Sequence, residues 1–143
     1  MAAAHFSHLG ICVADLDRSL RFYTEALGFS LKRTIESLAE PFDTLMGLPG
    51  ARLRIHQITL GPLMVELIGF AGVATEGDGA PRPMNRRGLT HLTFAVPDVE
   101  ATAQAIERLG GRRLSRVDSA FGPLIFCADP DGVRLELMQP LGG

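Results

Sequence analysis

The chain has no tryptophan, a single tyrosine (Tyr23), a single lysine (Lys32) and only two cysteines, Cys12 and Cys127. The two cysteines are far apart, each inside an apolar run. That is the setting of buried, reduced thiols, because a disulfide framework in a small secreted domain needs several paired cysteines. No apolar run reaches the roughly 18–20 residues needed to span a bilayer; the best stretch, Leu60 to Ala74, is shorter and carries Glu66. Met1 to His8 lacks the basic start and apolar stretch of a secretory signal, so no leader is expected there. An excess of either charge is also missing. Fourteen basic residues face 16 acidic ones, for a formal charge of −2, which is unlike a nucleic-acid binder held by a basic face. What is present is 143 residues, 46% of them hydrophobic, the ordinary make-up of a soluble globular core. A cytoplasmic protein is expected, with a small-molecule substrate and neither nucleic acid nor membrane as partner. Thirteen of the 14 basic residues are arginine. Codon usage explains such a skew without function, and the sharper reading is that some of these arginines bind anions with their planar fork.

The chain repeats itself. Phe6–Asp17 (FSHLGICVADLD) lies over Leu89–Glu100 (LTHLTFAVPDVE), matching His8 with His91, Leu9 with Leu92, Val13 with Val96 and Asp15 with Asp98. Each copy runs into a helical pattern that ends in Leu-Gly, at Leu27-Gly28 and Leu109-Gly110. Further on, Leu63–Ile68 (LMVELI) resembles Val133–Met138 (VRLELM), with Glu66 over Glu136. The chain thus divides into module one (1–69), a linker (70–87) rich in Gly and Pro, and module two (88–140), within a single domain spanning 1–143. Each module reads as a strand, a helix and three strands. In the first, a strand over 5–13 precedes a helix from Leu16 that Asp15 caps, with apolar positions Leu16, Leu20, Tyr23 and Leu27. In the second, Asp98 caps a helix with the stripe Val99, Ala103, Ile106 and Leu109. Strands are expected near 29–36, 51–60 and 62–69, and near 112–117, 122–128 and 133–138. Residues 38–50 read as a short helix or ordered loop.

Side chains alternate across a strand, so His8, Gly10 and Cys12 share one face and Leu9, Ile11 and Val13 the other. The same parity puts His91, Thr93 and Ala95 together. An ionised Glu66 or Glu136 within a core-like run costs several kcal/mol unless it is compensated. Two imidazoles and two carboxylates at repeat-related places would compensate one another around a divalent cation, as an octahedral site facing one cavity. Along 51–60, Leu53 and Ile55 share one parity and Arg52, Arg54 and His56 the other. If the leucine and isoleucine pack under a helix, the arginines and the histidine point toward the cleft, where they would suit an anionic substrate.

Through SHLGICVADLDRSLRFYTEALGF, LTHLTFAVPDVEATAQAIERLGG and FCADPDGVRLELMQP, nearly the whole chain resembles the vicinal oxygen chelate superfamily. That group includes glyoxalases, methylmalonyl-CoA epimerases, extradiol dioxygenases and bleomycin-resistance proteins. The resemblance implies an α+β fold of two tandem βαβββ modules, whose mixed sheets curve round a shared metal-binding cleft. It also implies metal ligands at His8, Glu66, His91 and Glu136 for one divalent ion per site (Zn, Ni, Co, Mn, Fe or Mg). One ligand glutamate would leave the metal to act as base, and the resemblance favours Glu136 over Glu66. Arg87 matches a basic position of glyoxalase I, while Cys12 stands where that enzyme has an arginine for the glutathione carboxylate. The half from His8 to Glu66 is closer to epimerase-like members.

Four protein ligands leave two adjacent positions on a six-coordinate ion, enough to chelate a substrate through two oxygens. The expected function is therefore proton transfer next to a carbonyl, stabilising an enolate-type intermediate. The enzyme would be an epimerase, isomerase or lyase, acting on an acyl-CoA or other anionic substrate. Two alternatives stand beside it. An extradiol ring-cleaving dioxygenase needs three open positions around a two-His one-carboxylate triad. A non-catalytic antibiotic-binding protein of the bleomycin-resistance kind would usually lack the four metal residues. A homodimer is expected, with modules of one chain or of two forming each cleft.

Overall fold

The computed structural model describes residues 2–140. In chain order the elements are β1 (Leu9–Cys12), α1 (Leu16–Leu27), β2 (Ser30–Leu38), α2 (Phe42–Leu45), β3 (Arg52–Leu60), β4 (Leu63–Ala71), β5 (Leu92–Ala95), α3 (Val99–Arg108), β6 (Arg112–Ser119), β7 (Gly122–Ala128) and β8 (Arg134–Met138). The strands form two four-stranded mixed sheets, in the orders β1-β4-β3-β2 and β5-β8-β7-β6. The second order is the first repeated, so the internal duplication is carried in the hydrogen bonding as well as in the residues. The fold is α+β, and its sheet is two separate sheets, one per module. No helix among the described residues is long and apolar enough to cross a membrane.

The chain divides into two compact units. The first comprises the described residues up to Leu20 together with Gly28–Glu76; the second comprises Arg21–Leu27 and the residues from Gly77 onward. In the first unit β1 runs parallel to β4, and β4-β3-β2 continue antiparallel. The expected strand over 5–13 shortens to Leu9–Cys12, because its ladder begins where Leu9 meets Val65. Its core holds Ile11, Val13, Leu16, Ile58, Val65 and Leu67. The helix α1 begins as expected, with the Arg18 backbone N–H donating to Asp15 Oδ1 at 3.0 Å. It ends at Gly28, whose φ of 79° lies in the left-handed region that glycine enters without strain.

The second unit repeats the scheme. β5 runs parallel to β8, and β8-β7-β6 are antiparallel. Asp98 caps α3 by accepting from the Ala101 backbone N–H at 3.0 Å, and Gly110 at φ 95° ends that helix. Val99, Ala103 and Ile106 form the buried stripe. Glu100 on α3 accepts from Arg113 and Arg116 on β6, at 2.8 and 2.9 Å, and these two guanidinium groups hold its carboxyl below the usual range.

The C-terminal half of α1 groups with this second unit, through the chain's only tyrosine. Buried Tyr23 donates to Oδ2 of buried Asp129 at 2.7 Å, while Oδ1 accepts from the backbone N–H groups of Asp131 and Val133 at 2.9 and 2.8 Å. Burial pushes the Tyr23 phenol well up, and the Asp129 charge adds to it. Burial also raises the Asp129 carboxyl, partly offset by the three hydrogen bonds. Tyr23→Phe keeps the ring and leaves a buried carboxylate oxygen without its donor. It should lower unfolding free energy by about 1–3 kcal/mol, read in urea as an earlier midpoint with an unchanged slope.

Candidate functional site

Parallel pairing sets the site. In the first unit Gly10 lies beside Glu66, and in the second Thr93 lies beside Glu136. Each histidine stands two residues before that position, on the same face and one pleat away. The result is one His–Glu pair per unit. His8 Nε2 is 3.1 Å from Glu66 Oε1, and His91 Nε2 is 3.0 Å from Glu136 Oε2. The other ring nitrogens are held alike, with His8 Nδ1 2.9 Å from Ser7 Oγ and His91 Nδ1 2.9 Å from Thr90 Oγ1. A hydroxyl that occupies Nδ1 fixes the ring and leaves Nε2 to face the carboxylate or a metal. Neighbouring donors about 2.1 Å from a shared cation stand about 3 Å apart, which is the spacing both pairs have. Imidazole nitrogen with carboxylate oxygen is also a donor set that borderline divalent ions accept. The residues present therefore fit a metal.

The two pairs differ in what surrounds them. Gln57 is the cross-strand partner of Glu66, and its side-chain amide donates to Glu66 Oε2 at 2.7 Å. Both oxygens of Glu66 are thus engaged. The equivalent partner of Glu136 is Phe126, which has no hydrogen bond to give. Its ring instead stands edge-on to the His91 imidazole, with centroids 5.4 Å apart, and the Arg134 guanidinium sits 5.7 Å from the Phe126 centroid. Besides His91, Glu136 has among the described residues a single long contact, from Thr93 Oγ1 at 3.4 Å, and this falls on the same Oε2 that faces His91.

Two expectations need correction, the facing of β3 and the burial of Cys12. Arg54 and His56 face helix α1, on the side opposite Glu66. Arg54 pairs across the strands with Gly69 and His56 with Leu67, and a Cβ on Gly69 would meet Leu16. Arg54 is engaged with Glu36 at 2.9 Å and Asp17 at 3.6 Å. His56 is 3% exposed, with Nδ1 on Thr34 Oγ1 at 2.8 Å and Nε2 without a hydrogen bond. Arg52 has the parity of Arg54 and His56 and is exposed. Arg87 is exposed, and its carbonyl accepts from Arg82 at 2.7 Å. Of the two thiols only Cys127 is buried, with a pKa pushed by burial to about 11; Cys12 is exposed. Among the described residues no three His, Cys, Asp or Glu side chains stand together as a metal-holding group. Each unit holds one of the two expected His–Glu pairs.

Sequence reasoning missed the Ser7 and Thr90 hydroxyls, although the repeat displays them as SHL and THL. It also missed Gln57, which lies as far before the Gly61-Pro62 turn as Glu66 lies after it.

Two four-stranded modules, each with a His–Glu pair set by a parallel register, define a duplicated α+β protein. Residues 5–137 match the model of the Glyoxalase/Bleomycin resistance protein/Dioxygenase superfamily, and the chain belongs to that superfamily. A lactoylglutathione lyase of Pseudomonas putida is 32% identical over 148 residues, covering 94% of this chain and 84% of that protein. A probable lactoylglutathione lyase of Vibrio cholerae is 33% identical over 135 residues, covering 92% and 88%. Among solved structures, a glyoxalase family protein from Bacillus cereus shares the fold, with a TM-score of 0.87 at 20% identity over 99% of this chain and 97% of that one. The trypanothione-dependent glyoxalase I of Leishmania major superposes with a TM-score of 0.66 at 26% identity, covering 96% and 87%.

Removing either hydroxyl frees the imidazole to rotate. Ser7→Ala and Thr90→Val should each weaken divalent-metal affinity about 10- to 100-fold, measured by competition with a chromogenic chelator.

Proposed function

We propose that the protein is a divalent-metal-dependent enzyme that moves a proton at the carbon next to a carbonyl, with His8, Glu66, His91 and Glu136 as the donors to one metal ion and a homodimer as its assembly. The two repeat-related His–Glu pairs carry this reading. Relatives that are lactoylglutathione lyases support the lyase form of it, with a thioester of glutathione as the substrate class. A bound divalent cation would polarise a substrate oxygen and make the neighbouring C–H proton easier to remove.

The chain's own groups then divide the work. His8 and His91 hold position, their Nδ1 atoms tied to Ser7 and Thr90. Glu66 stays fixed because Gln57 and His8 engage its two oxygens separately. Glu136 is the carboxylate with an oxygen to spare. Both of its contacts fall on Oε2, and Oε1 has no partner among the described residues. Glu136 is therefore the base that takes the proton and returns it, and the closed donor count disfavours a dioxygenase, which needs a third open position.

Glu136→Gln should lower kcat about 10²- to 10⁴-fold in forming S-lactoylglutathione from the hemithioacetal of glutathione and its 2-oxoaldehyde, followed by gain of thioester absorbance and by deuterium entry at the carbon beside the carbonyl in D₂O. Glu66→Gln should act mainly on metal content, measured by elemental analysis of the same samples. Loss of turnover in Glu66→Gln at full metal occupancy, with Glu136→Gln active, would reverse the assignment of the base. A racemisable 2-methylmalonyl thioester in the same exchange assay separates an epimerase from a lyase.

A further inference from the structure

The chain's only lysine lies at a break in the pairing of β2 with β3. Leu31 is opposite Ile58 and Arg33 is opposite Gln57, so Lys32 is an extra residue with no partner of its own. In a regular strand Lys32 and Arg33 would point to opposite faces. A bulge places two consecutive residues against one cross-strand partner and re-aims a side chain. Here both cations are set against Gln57, whose amide holds Glu66. With Ser7, His8, Gln57 and Met64 they line a cavity of about 430 Å³, a size that suits a small ligand.

The charge in that cavity is lopsided. No aspartate or glutamate is among its lining residues. Neither Lys32 nor Arg33 has a carboxylate partner among the described residues, whereas Arg21, Arg54, Arg113 and Arg116 all do. Two adjacent cations without a counter-ion repel, and an anion between them relieves the repulsion. The lysine supplies a point charge and the arginine a planar fork for two oxygens.

We propose that Lys32 and Arg33 form an anion-recognition subsite that binds the charged end of the substrate's thiol carrier next to the His8–Glu66 pair. The subsite names the substrate feature recognised at the centre described above and rests on that reading for its catalytic meaning, while binding itself needs no turnover. The shared chemistry is an oxyanion, either the carboxylate of a peptide thiol or the phosphate of a nucleotide thiol.

The test is calorimetric titration of the intact protein with S-methylglutathione, its diethyl ester and coenzyme A, at low and high salt. The wild type should bind one of the two anionic probes, carboxylate or phosphate, with an affinity that falls with salt. If S-methylglutathione is that probe, the diester should bind at least about tenfold more weakly. Lys32→Met and Arg33→Leu should each cost about tenfold, and Lys32→Arg should retain most of the affinity. Both positions are exposed on the edge strand β2, where substitution leaves the fold intact. In turnover the same variants should raise KM and leave kcat near the wild-type value. Binding of neither anionic probe, or equal affinity in wild type and the double variant, would overturn the subsite. Charge-dependent binding in a protein that turns over no thioester would sustain the subsite and remove the catalytic reading instead.

Discussion

The parallel pairing of each module's first strand with its last is the constraint on which the rest depends. A parallel register is set across a long stretch of chain, and here it fixes which residue stands beside each glutamate. Gly10 beside Glu66 and Thr93 beside Glu136 put a histidine one pleat away in both units. A slip of one residue would turn every side chain on the short strand to the opposite face, taking His8 or His91 from its carboxylate and Ile11 or Phe94 from the core. The same ladder therefore secures the apolar packing and the donor pair. This coupling explains why the helices are capped with such similar devices: Asp15 and Asp98 start them, Gly28 and Gly110 stop them, and the strands are delivered in register.

Duplication supplied two equal frames, and substitution made them unequal. Gln57 and Phe126 occupy corresponding places opposite Glu66 and Glu136. The amide immobilises one carboxylate, and the aromatic ring steadies the neighbouring histidine and leaves the other carboxylate loosely tied. A symmetric pair of half-sites could hold a metal equally well. The proposed proton transfer would ask for one carboxylate that stays and one that leaves, and the difference between these two residues would supply it.

The elements, the repeat and the residues of the two His–Glu pairs were legible in the sequence because each leaves a local mark: a capping aspartate, a helical stripe, a Leu-Gly stop, a histidine or glutamate set in an apolar run. The partner of Glu66 was not read, although counting back from Gly61-Pro62 reaches it. The facing of β3 was not legible. Leu53 and Ile55 are buried on one of its faces and His56 and Ile58 on the other, so alternation does not tell which side lies under the helix, and it is Arg54 and His56 that lie there. The bulge at Lys32 carries no local signal at all, since it exists only in the register with β3. The arginine excess resolves in the same way. Most of these side chains serve neighbouring carboxylates or carbonyls, as Arg54, Arg113, Arg116, Arg112 and Arg134 do, and Arg33 is set apart by its place at the bulge.

The central claim is that two His–Glu pairs of separate modules serve one ion. X-ray absorption at the metal edge of protein loaded with one equivalent of cobalt tests it most directly. The account predicts a six-coordinate ion with nitrogen and oxygen donors only. Two of these should be imidazoles, with one lost in His8→Ala and the other in His91→Ala. A first shell containing sulfur, or one that both histidine substitutions leave unchanged, would contradict it.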